Sequence, residues 1–221
     1  MLETIETCTR PETRYSIIWL HGLGADGHDF APIVPELVRP HWPGIRFVFP
    51  HAPVMPVTLN GGMHMRAWYD ILGMDFTQRR EDEPGVRASI GAVETLIARE
   101  VERGTPPERI LLAGFSQGGA ITLATGLRRQ EPLLGMIALS TYLPLAESTA
   151  AESTDAGRAT PVFMAHGSLD PVVPHQAGTL SAQRLRQLGV QVEWHEYPMQ
   201  HAVCAEEIRD LALWMDARLG S

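Results

Sequence analysis

The pentapeptide Gly114-Phe115-Ser116-Gln117-Gly118 leaves the chain around it few ways to fold. It follows a short apolar run, Ile110-Leu111-Leu112-Ala113, and precedes a segment of small and apolar residues at helical spacing that continues to Gln130. Strand, tight turn and helix in immediate succession reverse the backbone within a few residues. Glycines on both sides of the serine permit this, because no Cβ keeps helix and strand apart. Such a corner presents a serine hydroxyl as a nucleophile. The plainer reading of the same residues is a serine N-cap on a glycine-rich helix entry, in a chain that has 20 glycines. The rest of the sequence has to choose between them.

Buried strands are predicted at Tyr15 to His21, Ile45 to Phe49, Leu134 to Ser140, Pro161 to His166 and Val190 to Tyr197, each carrying apolar or β-branched residues. Helices are predicted at residues 28 to 38, 84 to 103, 175 to 188 and 203 to 219, the last with Ile208, Leu211, Ala212 and Met215 on one face. Residues 144 to 160, rich in Ser, Thr, Ala and Glu, read as a polar linker. This alternation predicts one α/β domain over residues 1 to 221, a mostly parallel sheet with helices on both faces. No segment between elements is long enough for a separate cap domain.

Charge removes several function classes. The net charge is −8, with no run of basic residues, which disfavours nucleic acid and electrostatic attachment to anionic lipid. The polar start MLETIETCTRPETR lacks an apolar leader, and no uncharged apolar run reaches the length of about 18 residues that spans a bilayer. A cytoplasmic protein without stable membrane insertion is expected. Cys8 and Cys204 form no metal or redox motif and are expected to be free thiols. His64, Asp70 and Asp75 show no metal-ligand spacing, so no metal is assigned.

Gly22, Gly24 and Gly27 have the G-x-G-x-x-G spacing of a dinucleotide loop. That fold expects an acidic residue at the end of the second strand, where this chain has Pro50-His51-Ala52-Pro53. In an α/β-hydrolase fold the same loop supplies one N–H of an oxyanion hole and the residue after the nucleophile supplies the other, which selects Leu23 and Gln117. Residues 51 to 83 have no clear period but hold Met55, Met63, Met65 and Met74 with Leu59, Trp68, Ile71, Leu72 and Phe76. Adaptable apolar side chains of this kind suit an acyl-binding groove, with Met65, Trp68 and Leu72 as candidate substrate contacts; anchoring a long loop to the core is the alternative.

A serine nucleophile needs a base, and the base needs an acid to fix its tautomer. In this fold the two follow in the order acid, then histidine, each on a loop at the carboxyl end of a strand. Four histidines follow Ser116: His166 ends a strand, His175 begins a helix, His195 lies within a strand, and His201 stands between the last strand and the last helix. Asp170 lies just beyond the Pro161 to His166 strand, whereas Asp155 is in the linker and Asp210 and Asp216 are within the last helix. Ser116, Asp170 and His201 are therefore the candidate catalytic residues.

The segments HGLGADG (21 to 27), RAWYD (66 to 70), GFSQGG (114 to 119), HGSLDPVVP (166 to 174) and YPMQH (197 to 201) resemble the phospholipase/carboxylesterase family, which includes acyl-protein thioesterases and lysophospholipases. The resemblance implies an α/β-hydrolase fold and a Ser116, Asp170 and His201 triad. It also implies cofactor-free hydrolysis of small esters, lysophospholipids or acylated proteins, by a monomer or homodimer. One position departs from the family pattern: the residue before the base, often glycine there, is Gln200. A non-catalytic binding protein on a hydrolase scaffold is the competing reading.

Overall fold

A computed structural model describes residues 1–73 and 81–220. Its strands are β1 (Thr4–Cys8), β2 (Tyr15–Leu20), β3 (Ile45–Pro50), β4 (Val54–Val57), β5 (Met63–Arg66), β6 (Ile110–Phe115), β7 (Gly135–Leu139), β8 (Val162–Gly167) and β9 (Val192–Tyr197). Seven of them form one sheet in the spatial order β1-β3-β2-β6-β7-β8-β9. The edge strand β1 runs antiparallel to β3, and every other pair in the sheet is parallel. β4 and β5 make a separate antiparallel hairpin.

The helices are α1 (Val34–Leu37), α2 (Glu83–Glu102), α3 (Gln117–Arg128), α4 (Ala146–Glu152), α5 (Asp155–Ala159), α6 (His175–Gln187) and α7 (Ala205–Asp216). Alternation along β2 sends Ile17 and Trp19 into a core shared with α1 and α7, and Ile18 and Leu20 into one shared with α2 and α3. Helices on both faces are why β2, β6, β7 and β8 read as apolar runs.

The structure departs from the predicted elements in four places. Residues 28 to 38 hold only a 3-10 turn, Ala31–Ile33, followed by α1, because Pro32 and Pro35 each remove a backbone donor. Residues 144 to 160 are α4 and α5 rather than a linker. Their polar residues make caps and ion pairs: Thr154 accepts from the Gly157 N–H, and Arg128 meets Glu152 at 2.6 Å. The polar start contains β1, held by Ile5 against the core and by Glu6 against Arg99 and Arg103. The segment without a clear period contains the β4–β5 hairpin, whose turn uses Gly61 and Gly62 at φ 66° and 79°. No helix among the described residues is long and apolar enough to cross a membrane.

Parallel pairing has one consequence for the site: β2, β6, β8 and β9 all end at the same edge of the sheet, so the loops that follow them converge.

Glu207, in the first turn of α7, is fully buried, and no side chain among the described residues pairs with its carboxyl. Burial pushes this carboxyl up to about 8 from its ordinary 4.5, the Cys204 backbone offsetting only part of the effect. Between those two values the unfolded chain has lost the proton and the folded chain keeps it, so stability falls as pH rises. Glu207→Gln removes this penalty. Urea melts should show it matching the parent at pH 4 and exceeding it by on the order of 4 kcal/mol at pH 8. A difference constant across that range would show that Glu207 is ionised in the fold.

Candidate active site

Ser116 joins β6 to α3 at φ 53° and ψ −119°, a backbone conformation that costs energy for a residue with a Cβ. Neighbouring strands hold it there. The Ser116 N–H donates to Leu139 O at 2.9 Å, and Ser116 O accepts from Thr141 Oγ1 at 2.6 Å and from the Ala120 N–H at 3.1 Å. The flanking glycines are there for space: a Cβ on Gly114 would lie 2.3 Å from Gly118 C, and one on Gly118 2.3 Å from Leu20 O.

Asp170 and His201 meet at the same edge. His201 Nδ1 lies 2.7 Å from Asp170 Oδ2, while Asp170 Oδ1 accepts the N–H groups of Val172 and Val173 at 2.8 and 2.9 Å. The turn after β8 thus orients the carboxylate, and the carboxylate places the histidine proton on Nδ1, leaving Nε2 as a base. The His201 ring packs on Phe115, the residue before Ser116, with centroids 4.7 Å apart. Among the described residues no hydrogen bond joins His201 to the Ser116 hydroxyl, the contact that proton transfer between them requires. His166, buried beneath, contacts Asp170 Oδ2 at 3.5 Å and Val173 O at 2.9 Å.

Leu23, Ser116 and Gln117 line one cavity. Gln117 begins α3, so its N–H has no acceptor within the helix. Leu23 lies in the loop that follows β2. That loop is held by His21, whose Nε2 accepts the Ala52 N–H at 3.0 Å and whose Nδ1 lies 2.7 Å from Gly22 O. Both contacts require a neutral imidazole protonated on Nδ1, and burial lowers the His21 pKa in the same direction. No long helix follows Gly27: turns lead to the four-residue α1, so a dinucleotide phosphate would lack the helix N-terminus that such loops supply.

The candidate substrate contacts separate. Leu72 lines the cavity, together with Leu59, Ile71 and Val172. Met65 does not line it; its sulfur would lie 3.8 Å from a Cβ on Gly24 of the β2 loop. Trp68 is 2% exposed and lies behind the cavity wall. Met74, Asp75 and Phe76 lie outside the described residues. Tyr69 and Tyr142, joined through their hydroxyls, also line the cavity, and sequence reasoning missed both. Tyr142 follows β7, and the rule that sites lie at strand carboxyl ends points to it.

Asp26, His28 and His51 place ligand-type atoms within 4.8 Å of one another. The Gly27 N–H donates to His51 Nδ1 at 3.1 Å, and Asp26 Oδ1 accepts the His28 backbone N–H at 2.8 Å and lies 3.0 Å from His28 Nδ1. These contacts hold the loop and commit the His51 lone pair that a metal would need.

Residues 2–218 match the phospholipase/carboxylesterase family over nearly the whole chain. The chain belongs to this family. It is 40% identical over 212 residues to acyl-protein thioesterase 1 of Neurospora crassa, covering 92% of this chain and 86% of that one. It is 42% identical over 216 residues to acyl-protein thioesterase 1 of Mycosarcoma maydis, covering 91% and 90%. The crystal structure of Arabidopsis thaliana SOBER1 superposes with a TM-score of 0.89 at 33% identity, covering 94% of this chain and 100% of that one. The fold is therefore that of an α/β-hydrolase, with no separate cap among the described residues, and the protein is a carboxylesterase-type serine hydrolase.

Close backbone packing at this family's serine turn gives a direct test. Because the atoms facing Gly118 are backbone oxygens of β2 and its loop, a methyl group there has nowhere to go. Gly118→Ala should lose about 3 kcal/mol of stability or fail to fold. A thermal melt within about 1 °C of the parent would contradict this packing.

Proposed function

We propose that this enzyme hydrolyses carboxylic esters and thioesters of apolar acyl groups through an acyl-enzyme on Ser116. The observation that carries the reading is the hydrogen-bonded pair of His201 and Asp170 at the sheet edge where the strained Ser116 turn emerges. His201 Nε2 accepts the hydroxyl proton as Ser116 Oγ bonds to the substrate carbonyl carbon. The Leu23 and Gln117 N–H groups hold the resulting oxyanion. Collapse expels the alcohol or thiol, which takes the proton from His201. Water then attacks the acyl-enzyme, with His201 again as base, releasing the acid and free Ser116. Asp170 stays ionised throughout, orienting His201 and stabilising its imidazolium form. These steps need no cofactor.

The apolar cavity supports an acyl chain as the recognised group, with Leu72 and Leu59 as contacts. Two fungal relatives are named acyl-protein thioesterase 1, which favours thioesters on acylated proteins as substrates, with lysophospholipids as a related ester class.

Ser116→Ala should retain the fold and lower kcat by about 10⁴-fold or more, and a fluorophosphonate probe should label the parent but not the variant. Asp170→Asn should lower kcat by about 10²–10⁴-fold, since an amide no longer dictates the His201 tautomer. Parent-level turnover in Ser116→Ala, or a parent that resists the probe, would point instead to a binding protein on a hydrolase scaffold.

Acyl recognition is tested separately with p-nitrophenyl esters and acyl thioesters of increasing chain length. Specificity should rise by about tenfold or more from acetyl to octanoyl, as burial of several methylenes requires. Activity confined to acetyl groups would rule out the apolar cavity as the acyl site.

A further inference from the structure

We infer that Trp68 is a positioning residue that holds the two halves of the oxyanion hole in register. The inference rests on the mechanism proposed above. Two donors are useful only if their separation and direction are set before the oxyanion forms. They come from parts of the chain far apart in sequence, Leu23 on the loop after β2 and Gln117 at the start of α3. Trp68, on the connection between β5 and α2, is bonded to both.

On one side, the indole Nε1–H of Trp68 donates to His21 O at 2.9 Å, fixing the peptide that leads into the loop. The next carbonyl, Gly22 O, receives His21 Nδ1–H at 2.7 Å. A trans peptide points its N–H opposite to its C=O, so anchoring Gly22 O aims the Leu23 N–H the other way. The rings of His21 and Trp68 pack with centroids 5.4 Å apart.

On the other side, the Trp68 backbone N–H donates to Gln117 Oε1 at 2.8 Å, and Gln117 Nε2–H donates to Tyr69 O at 2.7 Å. The side-chain amide of Gln117 thus bridges the Trp68 N–H and the Tyr69 carbonyl, and these two bonds hold the residue whose own N–H is the second donor. Trp68 is anchored in turn: its carbonyl accepts from Ser89 Oγ of α2, and the residue is buried in the α2–α3 core. An indole suits the position because it combines a large apolar body with a single buried donor.

Two substitutions test this. Trp68→Phe removes the donor and some volume; replacement of Trp68 by β-(3-benzothienyl)alanine removes only the N–H and keeps the shape, so it decides the matter if the phenylalanine variant does not fold. Both should lower kcat by about 10–100-fold with KM within about twofold, and by the same factor for p-nitrophenyl acetate, butyrate and octanoate. A KM that rises with chain length would make Trp68 a wall of the acyl site and overturn the inference. A lower melting temperature with parental kcat would do the same, leaving Trp68 as packing alone. Parental turnover in Ser116→Ala would sink the underlying mechanism, whereas loss there with parental kcat in both Trp68 variants would sink only this inference.

Discussion

Contact between backbones at the Ser116 turn is the constraint on which the rest of the site depends. The start of α3 lies so near β2 and β6 that Gly114 and Gly118 have no room for a methyl group. That proximity forces Ser116 into a conformation a free chain would avoid, and a hydrogen bond donated to Leu139 O at the end of β7 and one accepted from Thr141 just beyond it hold it there. The strain is local, but the support comes from the neighbouring strand, so the turn cannot exist without the sheet. The same proximity sets the Gln117 N–H beside the loop that follows β2.

Buried polar contacts then select protonation states. His201 is protonated on Nδ1 because Asp170 accepts there, and Asp170 can face it because the Val172 and Val173 N–H groups fix its other oxygen. His21 is neutral because one nitrogen must accept from Ala52 while the other serves Gly22 O. Desolvation favours the same uncharged form. Loop backbone sets His21 directly and His201 through the aspartate it orients, which is why the loops rather than the strands carry the chemistry.

Much of this was legible in the sequence. The GFSQG turn between an apolar run and a helical segment located Ser116, and the order of elements narrowed the acid and base candidates to Asp170 and His201. Reading failed where residue character and structural role diverge. The polar stretch 144 to 160 is helical because Thr154 caps α5 and Glu152 meets Arg128 of α3, partners that no local pattern shows. Trp68 had the character of a ligand contact but is enclosed, because its indole donor finds an acceptor in a loop 47 positions away. Tyr142 stands just past a strand end, where a site residue can lie, but nothing in its own neighbourhood marks that it faces the cavity. Only the return of the chain to Tyr69 does.

By itself, then, the sequence determined the alternation of strands and helices, the serine turn, and which residues could stand at strand ends. These follow from local sterics and hydrophobic period, which act over a few residues. Tertiary structure decided which of those ends converge, which side chains face the cavity, and which nitrogen of each histidine carries its proton. Those outcomes depend on hydrogen bonds and packing between segments 30 or more positions apart, such as His201 with Asp170 and Trp68 with His21 and Gln117. They come into being only when parallel pairing brings the carboxyl ends of β2, β6, β8 and β9 to one edge.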